Sequence, residues 1–385
     1  MRFVHTSDWH LGRVFHRVAL LDAQARFLDH LVEVVRTQRV DAVLVSGDVY
    51  DRAMPSPETV ALLSEAVTRL VDAGARVVLS SGNHDSATRL GFASGLLERA
   101  GLSIRTRLDA IGAPVLVGDL AVYALPYLEP SVAAPALGAA EATHAAVLRA
   151  AMDRVRADAA GRRRSVVMAH AFVTGAATSD SERGISAGGV AAVHPREFDG
   201  VTYAALGHLH GRQRVSPTAR YSGSPLAMSF SEADHTKGTW LVDLSGTTPV
   251  VEAVDAPVPR RLARLRGTLA ELLADPSLGW AESAWCHVTL TDAARPLGAM
   301  EQVQRRFPHA LELRFDEPVA LSSAPSYAAR VRARDDVQLC CDFLAHARST
   351  PPSEQEAVVM AAAVEASRVE RAAGADEGVA ARGVA

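Results

Sequence analysis

Two apolar periods alternate along the first hundred residues. Val43-Leu44-Val45 is a short, mostly β-branched run without alternation, as a strand buried on both faces requires. Before it, Leu21, Ala25, Leu28, Val32 and Val35 recur at helical spacing and predict an amphipathic helix over Leu20 to Thr37. After it, Leu62, Leu63, Ala66, Val67 and Leu70 make a stripe over Pro57 to Ala73, with Gly74 as a stop signal. Phe3 to Thr6 and Arg76 to Ser81 read as strands, and Arg89 to Ala100 as a helix ending at Gly101. This β-α-β-α-β order argues for parallel strands covered by helices.

Further strands are expected at Leu120 to Leu125, Ser165 to Met168, Thr202 to Leu206, Arg220 to Pro225 and Thr239 to Leu244. Residues 131 to 161 are alanine-rich and helical in their second half. Proline density and lost periodicity between Pro249 and Pro259 suggest a domain boundary. From Arg261 to about Phe315 the pattern restarts as strand, short helix, strand (Trp285 to Leu290), helix, strand, enough for a small α/β domain. Ser349 to Glu354 reads as a linker and helix start with Ser353 as candidate N-cap, and the helix to about Arg368 has one apolar side. The last residues, rich in Ala and Gly, are expected to be disordered. The expected division is therefore 1–250, 258–345 and 350–385.

The apolar runs end in polar chemistry. Strand-like segments lead into Asp8-Trp9-His10, Gly47-Asp48, Gly82-Asn83-His84-Asp85, His170 and Gly207-His208-Leu209-His210. In open α/β sheets ligands sit beyond the carboxyl ends of the strands. Gly-Asp alone is common in turns, and a lone histidine in an apolar run is more often a satisfied core residue. Gly-His-Leu-His is stronger, since strand spacing of two aims both imidazoles to one side. All five falling at strand ends argues for a shared site.

Asp8, His10, Asp48, Asn83, His170, His208 and His210 make seven oxygen and imidazole candidates without a thiolate. That disfavours a structural zinc site and suits Mn²⁺ or Fe²⁺. Seven are too many for one ion and about right for two sharing a bridge, an arrangement that clamps the oxygens of a phosphoryl displacement. His84 remains as a candidate general acid for the leaving alkoxide.

Composition narrows the setting. The 385 residues allow two or three domains, and 48% hydrophobic with 22% charged residues describe an ordinary globular chain. The net charge of −4 advertises no polyanionic partner overall. Clusters at Arg162 to Arg164, at Arg260, Arg261, Arg264 and Arg266, and at Arg330, Arg332 and Arg334 could meet phosphates or simply face solvent. With three cysteines and no CxxC, a reducing cytoplasm is expected. The longest apolar run, Ala357 to Val364, is far short of a membrane span, and no signal-peptide core follows Met1. Lys237 is the only lysine, and it lies in Thr-Lys-Gly, so this sequence carries no Walker A loop.

At D-x-H, G-D-x-x-D-R, G-N-H-D, the lone histidine and G-H-x-H the chain resembles the calcineurin-like metallophosphoesterases. "HTSDWHLGR", "GDVYDRAMPSPE", "SGNHDSATRLGF", "ALGHLHGRQRV" and "YSGSPLAMSFSEADHTKG" resemble the DNA-nuclease branch of that superfamily. The resemblance implies a four-layer core, a β-sandwich flanked by helices, with a small C-terminal α/β cap domain. It implies two divalent ions, usually Mn²⁺, with Asp48 as bridge. Asp8, His10 and His210 would complete one site and Asn83, His170 and His208 the other. It also implies that Asp51 contacts the His84 imidazole. The branch acts on DNA in repair, recombination and replication, as a homodimer joined to an SMC-like ATPase. Pairing through the helices at Pro57 to Ala73 and Arg89 to Ala100 would involve Leu62, Leu63, Leu90 and Phe92, and the helix from Ser353 would dock on the ATPase. A phosphoesterase acting on small molecules or phosphoproteins would share every ligand.

Overall fold

The computed structural model describes residues 1–182, 192–246, 248–316, 336–348 and 352–380. Arg330, Arg332, Arg334, residues 183–191, the linker residues 349–351 and the final five residues lie outside the described residues. Contacts divide the chain into two units, Met1–Asp316 and Glu317–Ala385.

The first unit is built on two six-stranded sheets. One runs from edge to edge as Val250–Asp255, Gly238–Asp243, Arg2–Thr6, Ala42–Ser46, Arg76–Ser80 and Leu102–Arg105. The other runs Gln213–Arg214, Ala219–Tyr221, Tyr203–Gly207, Arg164–His170, Leu120–Ala124 and Val115–Val117. In the first sheet the strands from Arg2–Thr6 to Leu102–Arg105 are parallel and Gly238–Asp243 is antiparallel to them, and in the second the strands from Ala219–Tyr221 to Leu120–Ala124 are parallel. The central strand shows how the layers form. Val43 and Val45 pack outward against Phe27, Leu31 and Leu70 of the helices Leu21–Gln38 and Pro57–Asp72. Leu44 points the other way, into a cluster with Val122, Val166 and Ala205 of the second sheet. The far side of that sheet buries Val167 and Ala204 against Val147, Met152 and Val155 of the helix His144–Ala159. The layers are helix, sheet, sheet, helix: the four-layer α/β core expected from the resemblance.

Several local expectations are corrected. The helix expected over Arg89 to Ala100 is broken into Ala87–Leu90, Ser94–Leu97 and the 3-10 turn Glu98–Ala100. Gly91 ends the first piece, and Ala93 at φ +56° prevents continuation. The stretch placed in a domain boundary contains Val250–Asp255, an edge strand paired to Gly238–Asp243, so the first sheet extends past residue 250. The smaller α/β element matches its pattern. The parallel strands Leu262–Gly267, Trp285–Leu290 and Ala310–Phe315 are crossed by the helices Leu269–Ala274 and Ala299–Arg306 around Val288 and Val303.

In the second unit are two helices, Asp336–Arg348 and Glu354–Ala380. Ser353 opens the latter in a capping box. Its Oγ accepts from Glu356 N at 3.3 Å, while Glu356 Oε2 accepts from Ser353 N at 2.8 Å. This helix runs past Arg368 into the stretch expected to be disordered.

Candidate metal centre

The two sheets meet tightly at the carboxyl ends of their parallel strands. Ser46 Oγ donates to the Ala205 carbonyl at 2.9 Å, and His5 joins Tyr203 and Leu206 across the interface. A Cβ at Gly207 would fall 1.9 Å from the Ser46 carbonyl oxygen, and one at Gly82 would fall 2.1 Å from Asp48 Oδ1. Only glycine permits this approach. It brings all five strand-end motifs to one edge.

Left-handed backbone then aims the side chains. Asp8, His10, Asp48 and His208 have φ of +52°, +43°, +48° and +103°, four of the eight non-glycine residues with positive φ among those described. Such conformations persist where the surroundings over-determine them. Here the loops are cross-tied: Asp8 N donates to the Gly47 carbonyl at 3.1 Å, His10 N to the Asp48 carbonyl at 2.9 Å, and His208 N to Asp8 Oδ1 at 3.0 Å. His208 and His210 lie beyond the strand Tyr203–Gly207, so a turn at His208 rather than strand alternation brings them in.

The polar atoms converge on Asp48. Its Oδ2 lies 3.3 Å from His170 Nε2, 3.5 Å from His10 Nε2 and 4.0 Å from His84 Nε2. Asn83 Oδ1 lies 2.9 Å from His170 Nε2, and the His208 ring sits 5.3 Å from that of His170. Asp8, His10 and His210 form one group with ligand atoms within 4.8 Å, and Asp8, Asp48 and His170 another. All are buried except Asn83, which is half-exposed and marks the open side.

The donor set fits cations. His10 Nε2 and His210 Nε2 face each other at 3.2 Å, two nitrogens whose lone pairs a cation would satisfy. His170 Nδ1 donates to the Ser46 carbonyl at 3.0 Å, which turns its Nε2 toward Asp48 and Asn83, where it could serve as a ligand. Burial raises the Asp8 carboxyl to about 6, and it lowers His10 well below the ordinary imidazole range and His208 to about 3. Burial works against His170 as well, yet the Asp48 carboxylate raises it to about 9. Asp48 itself is held far below the usual range by His170, His10 and His84, against its burial.

Asp51 departs from expectation. Its carboxylate does not meet His84: Oδ1 accepts from Arg13 Nη1 at 2.8 Å and lies 3.6 Å from His10 Nδ1. It is the Asp51 main-chain carbonyl that lies 2.8 Å from His84 Nδ1. Other supports carry no local sequence signal. Buried Gln24 donates to the carbonyls of Trp9 and His10 at 3.1 and 2.7 Å and accepts from Gly12 N at 3.0 Å, fixing the first loop. Asp85 accepts from Gly82, Val49 and Tyr50 N–H groups at 2.9 to 3.1 Å and ties two loops together. Its position closing Gly-Asn-His-Asp is the one clue the sequence offers.

The basic clusters are largely occupied. Arg264 pairs with Asp234, Arg266 with Asp316, Arg162 with Asp158 and Arg164 with Asp119, while Arg260 donates to the Ser283 carbonyl.

A family model described as calcineurin-like phosphoesterase matches residues 1–212, more than half of the chain. The chain belongs to the calcineurin-like phosphoesterases. A second model, described as type 5 capsule protein repressor C-terminal domain, matches residues 258–348. The SbcD subunit of the nuclease SbcCD from Staphylococcus epidermidis is 28% identical over 317 residues, covering 81% of this chain and 85% of that protein. Among solved structures, TT1561 of Thermus thermophilus has a TM-score of 0.38 at 11% identity, covering 66% of this chain and 98% of that one. GAP50, the anchor in the inner membrane complex of Plasmodium, has the same TM-score and identity, covering 84% and 98%. Among the described residues no helix is long and apolar enough to cross a membrane.

Proposed function

We propose that this phosphoesterase is a metal-dependent DNA nuclease of the SbcD type, a double-strand exonuclease and a single-strand or hairpin endonuclease. What carries the reading is the convergence of Asp8, His10, Asp48, Asn83, His170, His208 and His210 on one sheet edge, with His84 beside them, in a chain similar to the SbcD subunit of an SbcCD nuclease over most of its length. Two divalent cations, Mn²⁺ in our reading, would be held by these seven residues with Asp48 between them. When bound, they supply Lewis acidity at the phosphoryl oxygens and the charge that polarises an attacking water.

The remaining steps belong to the chain's own groups. The Asp51 carbonyl holds the proton on His84 Nδ1, so the imidazolium form would give its second proton, from Nε2, to the departing 3′ or 5′ oxygen and be left as the neutral Nδ1–H ring. Half-exposed Asn83 marks the side from which a phosphodiester enters.

The protein would work in the cytoplasm at the nucleoid, in DNA repair, recombination and replication. An SMC-like ATPase partner supplies the ATP chemistry for which this chain has no Walker A lysine. The helix Glu354–Ala380, with Val358 and Val359 exposed, is the proposed docking element for it. Homodimerisation is proposed through an apolar groove of about 480 Å³ between the helix Pro57–Asp72 and the broken helical segment after it. Of the four residues expected there, Leu63 and Leu90 are buried and Leu62 is half-buried, leaving Phe92 at 80% exposure with Leu96 at 70% beside it.

The test is Mn²⁺-dependent cleavage of a blocked-end DNA duplex, with and without the ATPase partner. Cleavage supports the reading. Hydrolysis of a chromogenic phosphodiester but not of duplex DNA, with the partner present, would favour a small-molecule or phosphoprotein substrate instead.

A further inference from the structure

Lys237 is the chain's only lysine among 40 basic residues, and it is buried at 3% exposure directly behind a candidate metal ligand. Its Nζ donates to the His210 carbonyl at 2.8 Å, to Ser224 Oγ at 3.0 Å and to Glu232 Oε2. Three acceptors spread around one compact ammonium are a geometry that a planar guanidinium does not reproduce. Glu232 is equally buried. Its Oε1 accepts from Ser181 Oγ and lies 3.5 Å from His210 Nδ1, and Ser181 Oγ lies 2.6 Å from that same nitrogen. Glu182 Oε1 closes the arrangement by accepting from His210 N at 2.8 Å.

His210 is thus held at its amide, its carbonyl and its ring. Because Ser181 donates to Glu232, it accepts from Nδ1–H. That places the imidazole proton on Nδ1 and turns the Nε2 lone pair toward Asp8 and His10. A carboxylate behind a ligating histidine fixes its tautomer and raises its donor strength, and losing it typically lowers metal affinity by about 10–100-fold. A lone buried carboxylate would be strongly unfavourable, which gives the ammonium its place.

We propose that Glu232 and Lys237 act as one positioning unit for His210 and set the affinity of one of the two metal sites. Neither residue touches the ions or the substrate. The proposal rests on the two-metal reading above, and it goes further by assigning the tuning of one site to a pair more than twenty residues away in sequence from the ligand it serves.

The experiment is calorimetric titration of Mn²⁺ into the full-length chain, wild type against Glu232→Gln, Lys237→Arg and Ser181→Ala, with thermal unfolding in chelator as the check on folding. Wild type should bind two ions. Glu232→Gln should weaken one by about 10–100-fold and leave the other unchanged. Lys237→Arg should weaken the same ion, since the guanidinium does not restore the three contacts. Ser181→Ala, which cuts the relay without unpairing buried charges, keeps the test open if the buried variants do not fold, and should weaken that ion by a smaller factor.

Unchanged affinity at both sites in Glu232→Gln and Ser181→Ala, or equal losses at both, overturns the inference while leaving the two-metal reading intact. Fewer than two ions in the wild type would instead overturn that reading, and this inference with it.

Discussion

His84 Nδ1 lies 2.8 Å from the main-chain carbonyl of Asp51, while the Asp51 carboxylate faces Arg13 at 2.8 Å. A carbonyl only accepts, so the proton is fixed on Nδ1 by backbone that no substitution at position 51 removes. His84→Ala should therefore lose turnover by about 10²–10⁴-fold with both ions retained. Asp51→Asn should cost no more than about tenfold, through a looser hold on Arg13 and the His10 ring, because its carboxylate faces those groups and its carbonyl is unchanged by the substitution. The double variant should show about the product of the two losses, because the Asp51 contact that His84 uses is main-chain and survives in Asp51→Asn. Single-turnover rates at saturating Mn²⁺ measure this, and a double variant no worse than His84→Ala alone would mean that the two act as a unit.

Metal content separates Asp48 from Asp8. Asp48 Oδ2 is within 3.3 to 4.0 Å of three histidines that serve different parts of the centre, so Asp48→Ala should retain neither ion. Asp8→Ala should lose one ion and weaken the second as well. Its carboxylate accepts from His208 N at 3.0 Å and so holds the turn that presents that ligand. Elemental analysis of the purified variants decides, and two ions retained in Asp48→Ala would sink the bridging assignment.

The dimer surface makes a separable prediction. Phe92→Glu with Leu96→Arg places charges on a proposed apolar contact remote from the ligand set, and both side chains already face solvent in the single chain. Light scattering at micromolar concentration should give a dimer for the wild type and a monomer for the double variant, with unchanged Mn²⁺ stoichiometry. A stable wild-type monomer contradicts the proposal.

How much of this the sequence disclosed follows from range. The two-sided run Val43-Leu44-Val45 reveals its strand because its period is local, and each strand-end motif reads as chemistry because the ligand lies within four residues of the strand. Val250–Asp255 escaped because an exposed edge strand has no apolar alternation to show. Leu102–Arg105 and Val115–Val117 are too short to stand out beside Gly101 and Gly118. The supports of the site are the harder case. Gln24, Arg13, Glu232 and Lys237 reach the centre from helix or loop positions whose contacts exist only after folding. The motif Gly-Asp-x-x-Asp-Arg placed Asp51 beside His84, but it could not say that the carbonyl rather than the carboxylate makes the contact.

The seam between the sheets gives the last prediction. His5 is fully buried, with Nε2 3.1 Å from the Leu206 carbonyl and Nδ1 3.1 Å from the Tyr203 hydroxyl. The carbonyl takes the Nε2 proton and the hydroxyl donates to Nδ1, so both nitrogens are satisfied by the neutral ring. Burial, the dominant cause, lowers its pKa from 6.5 to about 3, partly opposed by the bond to Leu206. Between these values the unfolded chain binds a proton that the native chain does not. Stability due to His5 is therefore complete above about pH 6.5 and is lost as pH falls toward 3, at up to about 1.4 kcal/mol per pH unit. The buried His10 and His208 are lowered in the same direction, so the informative quantity is a difference. In chelator, where no ion complicates the titration, His5→Asn should be less stable than wild type at pH 7 and lose less on acidification. Urea unfolding between pH 4 and 6 should then give a pH slope shallower by about one proton. Parallel slopes would show that His5 does not resist protonation, and that the seam between the two sheets admits charge.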